Sequence, residues 1–286
     1  MIPEIEVVPF PRWVDKSLAR FQASSKSLSG EMILLGTGTS VGVPVIGCGC
    51  ETCTSENPRN HRTRCSAILG LPGGNLLIDT APELRLQLVR EQISLVHGVL
   101  YTHEHADHIF GLDDLRIMQF YIGGAVPLYC TLPVEERIRK SFDYAFSTLE
   151  QTHAGARPAI EFRRIGLQAF EAFGQIIEPV LLQHGPRFEV LGFRFGNVAY
   201  CTDTNHIGPE SKAKLKGLDV LVLDALRHEP HATHFSLDEA VTVARELGAK
   251  QTYFTHVSCY LEYEKTNAML PAGMELAYDG LRIPLS

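Results

Sequence analysis

Four metal-binding side chains, His103, His105, Asp107 and His108, fall within THEHADH at residues 102–108, directly after the apolar segment GVLYT. Residues two apart in an extended strand point the same way, so His103 and His105 can aim at one ion. If the chain then turns into a helix, Asp107 and His108 occupy its opening turn, within reach of a second ion. A zincin HExxH would put its second histidine at position 107. That position is Asp, which excludes the class. The apolar flanks GVLYT and IFGL argue against an exposed histidine loop that gathers metal by accident.

A second constellation, GTGTSVGVPVIGCGCETC, spaces Cys48, Cys50 and Cys53 as CxCxxC. The first residues, MIPEIEVVPFPRWVD, lack the basic start and apolar core of a secretory signal. Clustered thiols in such a chain point to zinc rather than a disulfide framework. Structural zinc is almost always four-coordinate, so a further ligand must come from elsewhere. Cys65, Cys130 and Cys201 sit in apolar strand-like segments and read as core. GTGTS lacks the GKS or GKT ending of a phosphate loop and does not fit GxGxxG, so it reads as a turn after the first strand. A third group, RHEPHATHFS, offers His228, His231 and His234 as proton donors.

The HxHxDH of residues 103–108 resembles the signature of the metallo-β-lactamase superfamily, and the remaining signature positions occur in the chain order which that family implies. Asp79 ends LLID, His184 follows IIEPVLLQ, Asp203 follows AYCT, and His256 ends TYFTH. The resemblance implies an α/β fold, the αββα sandwich, with His103, His105 and His184 on one metal and Asp107, His108 and His256 on the other. It makes Asp203 the bridge between them and Asp79 a carboxylate that orients a histidine ligand. GTGTSVGVP with CxCxxC is similar to the branch of cyclic phosphate phosphodiesterases of the C–P lyase pathway, whose relative is the PQQ biosynthesis protein B. This similarity runs from about residue 31 through LPAGMELAYDGLRI. In that branch a histidine three residues after the last metal histidine completes the structural zinc site; here the position is Cys259. Four thiolates are an equally normal zinc set.

These residues imply two catalytic divalent metals, zinc or manganese, and one structural zinc. Two ions sharing a water lower its pKa and stabilise a developing phosphoryl transition state. The expected activity is therefore metal-dependent hydrolysis of a small cyclic or nucleotide-like phosphodiester. Asp107 and His234 are the candidate catalytic residues, His234 as general acid or phosphate ligand by its place in the family pattern. His206 reads as a loop residue. A lactone or thioester hydrolase of the same fold, and a cofactor-pathway protein like the PQQ relative, are the alternatives. Asp at position 203 weighs against the lactamase branch, which commonly has Cys there.

The elements that must position these groups alternate along the chain. EMILLG, CSAILG, NLLID, DVLVLDA and QTYFT read as buried strands, with a strand-rich middle from IEFRRI to NVAYC. PELRLQLVREQ and VEERIRKSFDYAF read as helices, and SLDEAVTVARELGA as a helix capped by Ser236 and stopped at Gly248. Residues 1–30, ending in the polar SSKSLSG, form an N-terminal extension to a hydrolase domain over 31–286. The chain has 286 residues, 45% of them hydrophobic, enough for one large core. Its net charge of −7 and lack of a Lys/Arg run argue against stable nucleic-acid binding and favour a small-molecule partner. No apolar run reaches the ~18 residues needed to cross a membrane, so a cytoplasmic location is expected, with a homodimer left open.

Overall fold

In EMILLG, which forms β1 (Glu31–Gly36), Met32 and Leu34 turn one way and Ile33 and Leu35 the other, and all four are buried. A strand buried on both faces must lie between two layers. The computed structural model, which describes residues 28–148 and 150–285, supplies both. Met32 and Leu34 enter a core with Leu69, Leu76 and Ile78 from their own sheet and Phe193, Tyr200 and Val222 from the facing one. Ile33 and Leu35 enter another with Leu84, Leu88, Ile109, Val134 and Ile138, which come from helices.

The first sheet runs β14 (Leu281–Pro284), β1, β2 (Ser66–Leu71), β3 (Gly74–Ile78), β4 (Gly98–Leu100), β5 (Val126–Cys130), β6 (Ile160–Arg164). The second runs β13 (Met274–Leu276), β12 (Gln251–Thr255), β11 (Val220–Asp224), β10 (Val198–Cys201), β9 (Phe188–Phe195), β8 (Gln175–His184), β7 (Phe170–Ala172). Helices α1 (Leu84–Glu91), α2 (Ala106–Ile109), α3 (Met118–Ile122) and α4 (Leu132–Ser141) cover the first sheet. Helices α6 (Leu237–Leu247) and α7 (Tyr263–Asn267), with Leu215 beyond α5 (Pro209–Lys214), cover the second. This is the αββα sandwich that the family resemblance implies.

Parallel pairing in β3–β4–β5–β6 and in β10–β11–β12–β13 sends several carboxyl ends to a common edge. Binding sites in parallel sheets form beyond such ends. Helix α6 starts where SLDEA predicts: Ser236 Oγ accepts from Glu239 N, and Ser236 N donates to Glu239 Oε2 at 2.8 Å. A cap of this kind contributes about 1 kcal/mol. It also fixes the chain two residues after His234.

Two expectations differ in detail. GVLYT is strand only to Leu100, because Thr102 N leaves the ladder to donate to Asp79 Oδ1 at 2.8 Å. His103 and His105 consequently stand in an extended segment between β4 and α2 rather than on the strand. The extension assigned to residues 1–30 lies outside the described residues as far as 27. Leu28 is buried and Ser29 bridges to Gly70, so these residues pack on the sandwich. Among the described residues no helix is long and apolar enough to cross a membrane.

Candidate metal centre

Asp79, Asp203 and His256 follow the ends of β3, β10 and β12, and all three adopt positive φ, 59°, 50° and 60°. Non-glycine residues avoid this region at a cost of about 1–3 kcal/mol each, and they persist in it where surrounding structure forces them, commonly at functional sites. The turn aims each side chain inward, where all three are buried.

Asp79 organises the first histidines. Its Oδ1 accepts from Thr102 N, and its Oδ2 accepts from Thr102 Oγ1 at 2.8 Å and from His108 Nδ1 at 2.7 Å. The Thr102 hydroxyl, having given its proton to Asp79, accepts from His103 Nδ1 at 2.9 Å. Thr233 O accepts from His184 Nδ1, and Asp224 Oδ2 from His234 Nδ1, both at 2.7 Å. Nδ1 of all four is thus tied outward, so on His103, His108 and His184 it is Nε2 that can be offered to a cation.

Those inner nitrogens converge. The ligand atoms of His103, His105 and His184 lie within 4.8 Å of one another, as do those of Asp107, His108, Asp203 and His256. Asp203 Oδ1 is 3.3 Å from His108 Nε2, and Oδ2 is 3.3 Å from His256 Nε2 and 3.9 Å from His103 Nε2. Yet the Nε2 atoms of His103, His108 and His256 are buried with no hydrogen-bond partner. Buried polar nitrogens are rarely left so. Lone pairs and carboxylates that face a common point without bonding one another fit a shared cation, so the residues present suit two metals. Charge agrees with this. Burial works against ionisation of His108, but Asp203, Asp107 and Asp79 hold its imidazole well above its usual pKa. Burial likewise opposes the Asp203 charge, and His256 and His108 overcome it, keeping the carboxyl well below the usual range.

His234 completes the cluster. Its ring stacks on His256 at 4.5 Å and 12° and meets His184 at 4.6 Å. His231 is exposed with its ring 5.3 Å from that of His234, and both His228 and His206 are exposed. Sequence reasoning passed over Asp224, the partner of His234. The signal was present, since VLVLD ends an apolar strand in acid just as LLID does.

The four sulfur atoms of Cys48, Cys50, Cys53 and Cys259 also lie within 4.8 Å of one another, with no disulfide. A backbone hydrogen bond at Cys53, aided by the neighbouring thiols, lowers the Cys50 pKa to about 7, while burial pushes Cys259 up to about 12. A tetrahedral thiolate site for zinc is the arrangement these four fit. Arg62, which sequence reasoning also passed over, is fully buried below the loop. Its guanidinium donates to Ser258 O at 3.0 Å, Leu261 O at 2.9 Å and Asn60 Oδ1 at 3.2 Å. The loop from His256 to Leu261 is therefore clamped from beneath. Gly38 bridges both Arg64 and Val257, and a Cβ there would meet Arg62 O at 2.6 Å, so GTGTS is a turn pressed against that same loop. Cys65, Cys130 and Cys201 are buried core residues.

Because Cys259 stands three residues from His256, Cys259→Ala should remove about one zinc per chain, lower the melting temperature and reduce activity. Cys259→His should keep the metal. A Cys259→Ala protein with the parent's zinc content and melting temperature would place the fourth ligand elsewhere.

The β-lactamase superfamily domain model matches residues 74–257, which hold all the candidate catalytic ligands. A crystal structure of a diphosphatase from the PhnP family superposes with a TM-score of 0.82 at 44% identity, covering 88% of this chain and 96% of that one. Zinc-bound PqqB from Methylobacterium extorquens superposes with a TM-score of 0.74 at 20% identity, over 89% of this chain and all of its own (100%), a likeness of fold. An octanoyltransferase of Porphyromonas gingivalis is 33% identical over 253 residues, 87% of this chain. The chain spans only about half (50%) of the length of that relative. With the family match, the sandwich and the ligand-type side chains it gathers, the chain belongs to the metallo-β-lactamase superfamily of hydrolases.

Proposed function

We propose that the protein is a phosphodiesterase that hydrolyses a small cyclic or nucleotide-like phosphodiester at a dinuclear metal site. One observation carries the reading: two clusters of ligand atoms meet at the Asp203 carboxylate, with His234 packed against a histidine of each. His103, His105 and His184 would hold one cation and Asp107, His108 and His256 the other. Two cations held there would supply an activated water and offset charge on phosphoryl oxygens. The protein's own residues do the rest. Asp79 and Thr102 orient His108 and His103, Thr233 orients His184, and Asp224 orients His234 to deliver a proton to the leaving oxygen.

The 44% identity to a diphosphatase supports phosphoryl chemistry over acyl chemistry. The octanoyltransferase similarity favours a second reading, hydrolysis of an acyl ester or thioester, but it covers half of that protein. A small-molecule substrate and a cytoplasmic location complete the proposal. The test is a panel of bis-aryl phosphates, 2′,3′-cyclic nucleotides, ribose cyclic phosphates, lactones and thioesters offered to the metal-loaded protein. Turnover should concentrate on the phosphodiesters. A preference for lactone or thioester would overturn the assignment in favour of the second reading.

A further inference from the structure

Phe188 opens β9 as the cross-strand partner of His184, so the two side chains share one face of the β8–β9 hairpin. Its ring lies 4.9 Å from that of His105, near edge-on at 72°, and 6.2 Å from that of His184. These contacts put it beside the cation-binding cluster. Yet Phe188 is 39% exposed, whereas Phe193 and Phe195 further along the strand are buried in the core between the sheets. An apolar ring held at the rim of a polar site, and stacked face to face on neither histidine, is available to a ligand.

The turn that carries the ring is also fixed in place. Gly185 N donates to Asn205 Oδ1 at 2.8 Å, and Asn205 Nδ2 donates to Ala232 O at 3.0 Å. Asn205 thereby ties the turn before Phe188 to the segment bearing His234. A rim residue positioned in advance loses little freedom when it binds.

We propose that Phe188 is a stacking platform for a nucleobase carried by the substrate close to its scissile phosphate. The proposal rests on the phosphodiesterase reading and narrows it to nucleotide-like substrates. Aromatic side chains stack any base through its π-face, and removing one typically weakens binding by roughly 10-fold or more. A phosphate at the cations would set the base within reach of the rim, so the ring should contribute to affinity rather than to the chemical step.

The test is calorimetric binding of AMP and ribose 5-phosphate to the metal-loaded protein, alongside hydrolysis of 2′,3′-cyclic AMP and metal content per chain. The parent should bind AMP about 10-fold more tightly than ribose 5-phosphate. Phe188→Ala should erase that preference with ribose 5-phosphate affinity and metal content unchanged, and Phe188→Leu, which still covers His105 and His184, should not restore it. Equal affinities in the parent would overturn the proposal. So would a parallel loss of both ligands in Phe188→Ala, which would make the ring a cover for the histidines. A base preference in a protein that hydrolyses no phosphodiester would uphold the platform and sink the phosphodiesterase reading. Hydrolysis without a base preference would do the reverse.

Discussion

Asp203→Ala should strip the protein of its catalytic cations and of nearly all turnover. The Asp203 carboxylate stands 3.3 Å from His108 Nε2 on one oxygen and 3.3 Å from His256 Nε2 on the other, which also faces His103. No other carboxylate among the described residues pairs with histidines of both ligand sets. Groups that merely orient metal ligands are typically worth 10–100-fold in affinity or activity. A carboxylate shared by both ligand sets should therefore cost more than about 100-fold in kcat/KM, with a measurable fall in bound metal. Asp203→Asn separates charge from backbone, since Asn also tolerates the left-handed conformation at this position. It should fold like the parent and still lose metal. Full turnover by Asp203→Ala would end the dinuclear account.

His234→Ala should lower turnover by roughly 10² to 10⁴ while leaving bound metal in place. Burial alone would lower the His234 pKa, but the Asp224 carboxylate overcomes it and holds the imidazole up to about 9. A group raised in this way carries its proton at neutral pH and loses it as pH rises. Cations bound nearby oppose the imidazolium charge, so in the metal-loaded protein the alkaline limb should fall below that value. His234→Ala should lose that limb. The deficit should be large for alkoxide leaving groups and small for nitrophenolate, which needs no proton. A uniform deficit across leaving groups would reassign His234 to substrate positioning. Asp224→Asn should show the same dependence in weaker form.

The clustering of His103, His105, Asp107 and His108 was legible because their spacing is local. Alternation in THEHADH brings His103 and His105 together even though the strand ends before them, and α2 starts at Ala106 as the helical turn required. His184, Asp203 and His256 could be placed only through the family pattern, because nothing local sets a lone histidine or acid apart. Asp224 escaped notice since its function depends on His234, ten residues on across a loop. Arg62 was illegible for a different reason. Its partners Ser258 and Leu261 contribute backbone oxygens some 200 residues away (separations of 196 and 199), and such oxygens leave no residue-type signal. Phe188 reads in sequence as one more apolar strand residue, and only its exposure beside His105 distinguishes it.

The most direct test of the central claim is a metal titration of the demetallated protein with a 2′,3′-cyclic nucleotide as substrate. Zinc or manganese is added in steps, with turnover and bound metal read together. Turnover should be absent at the start and should rise until about two equivalents per chain are bound beyond the one expected at the four thiols, as for a two-metal hydrolytic site. Full turnover with a single equivalent, or both positions filled with no turnover of the phosphodiester, would contradict the account.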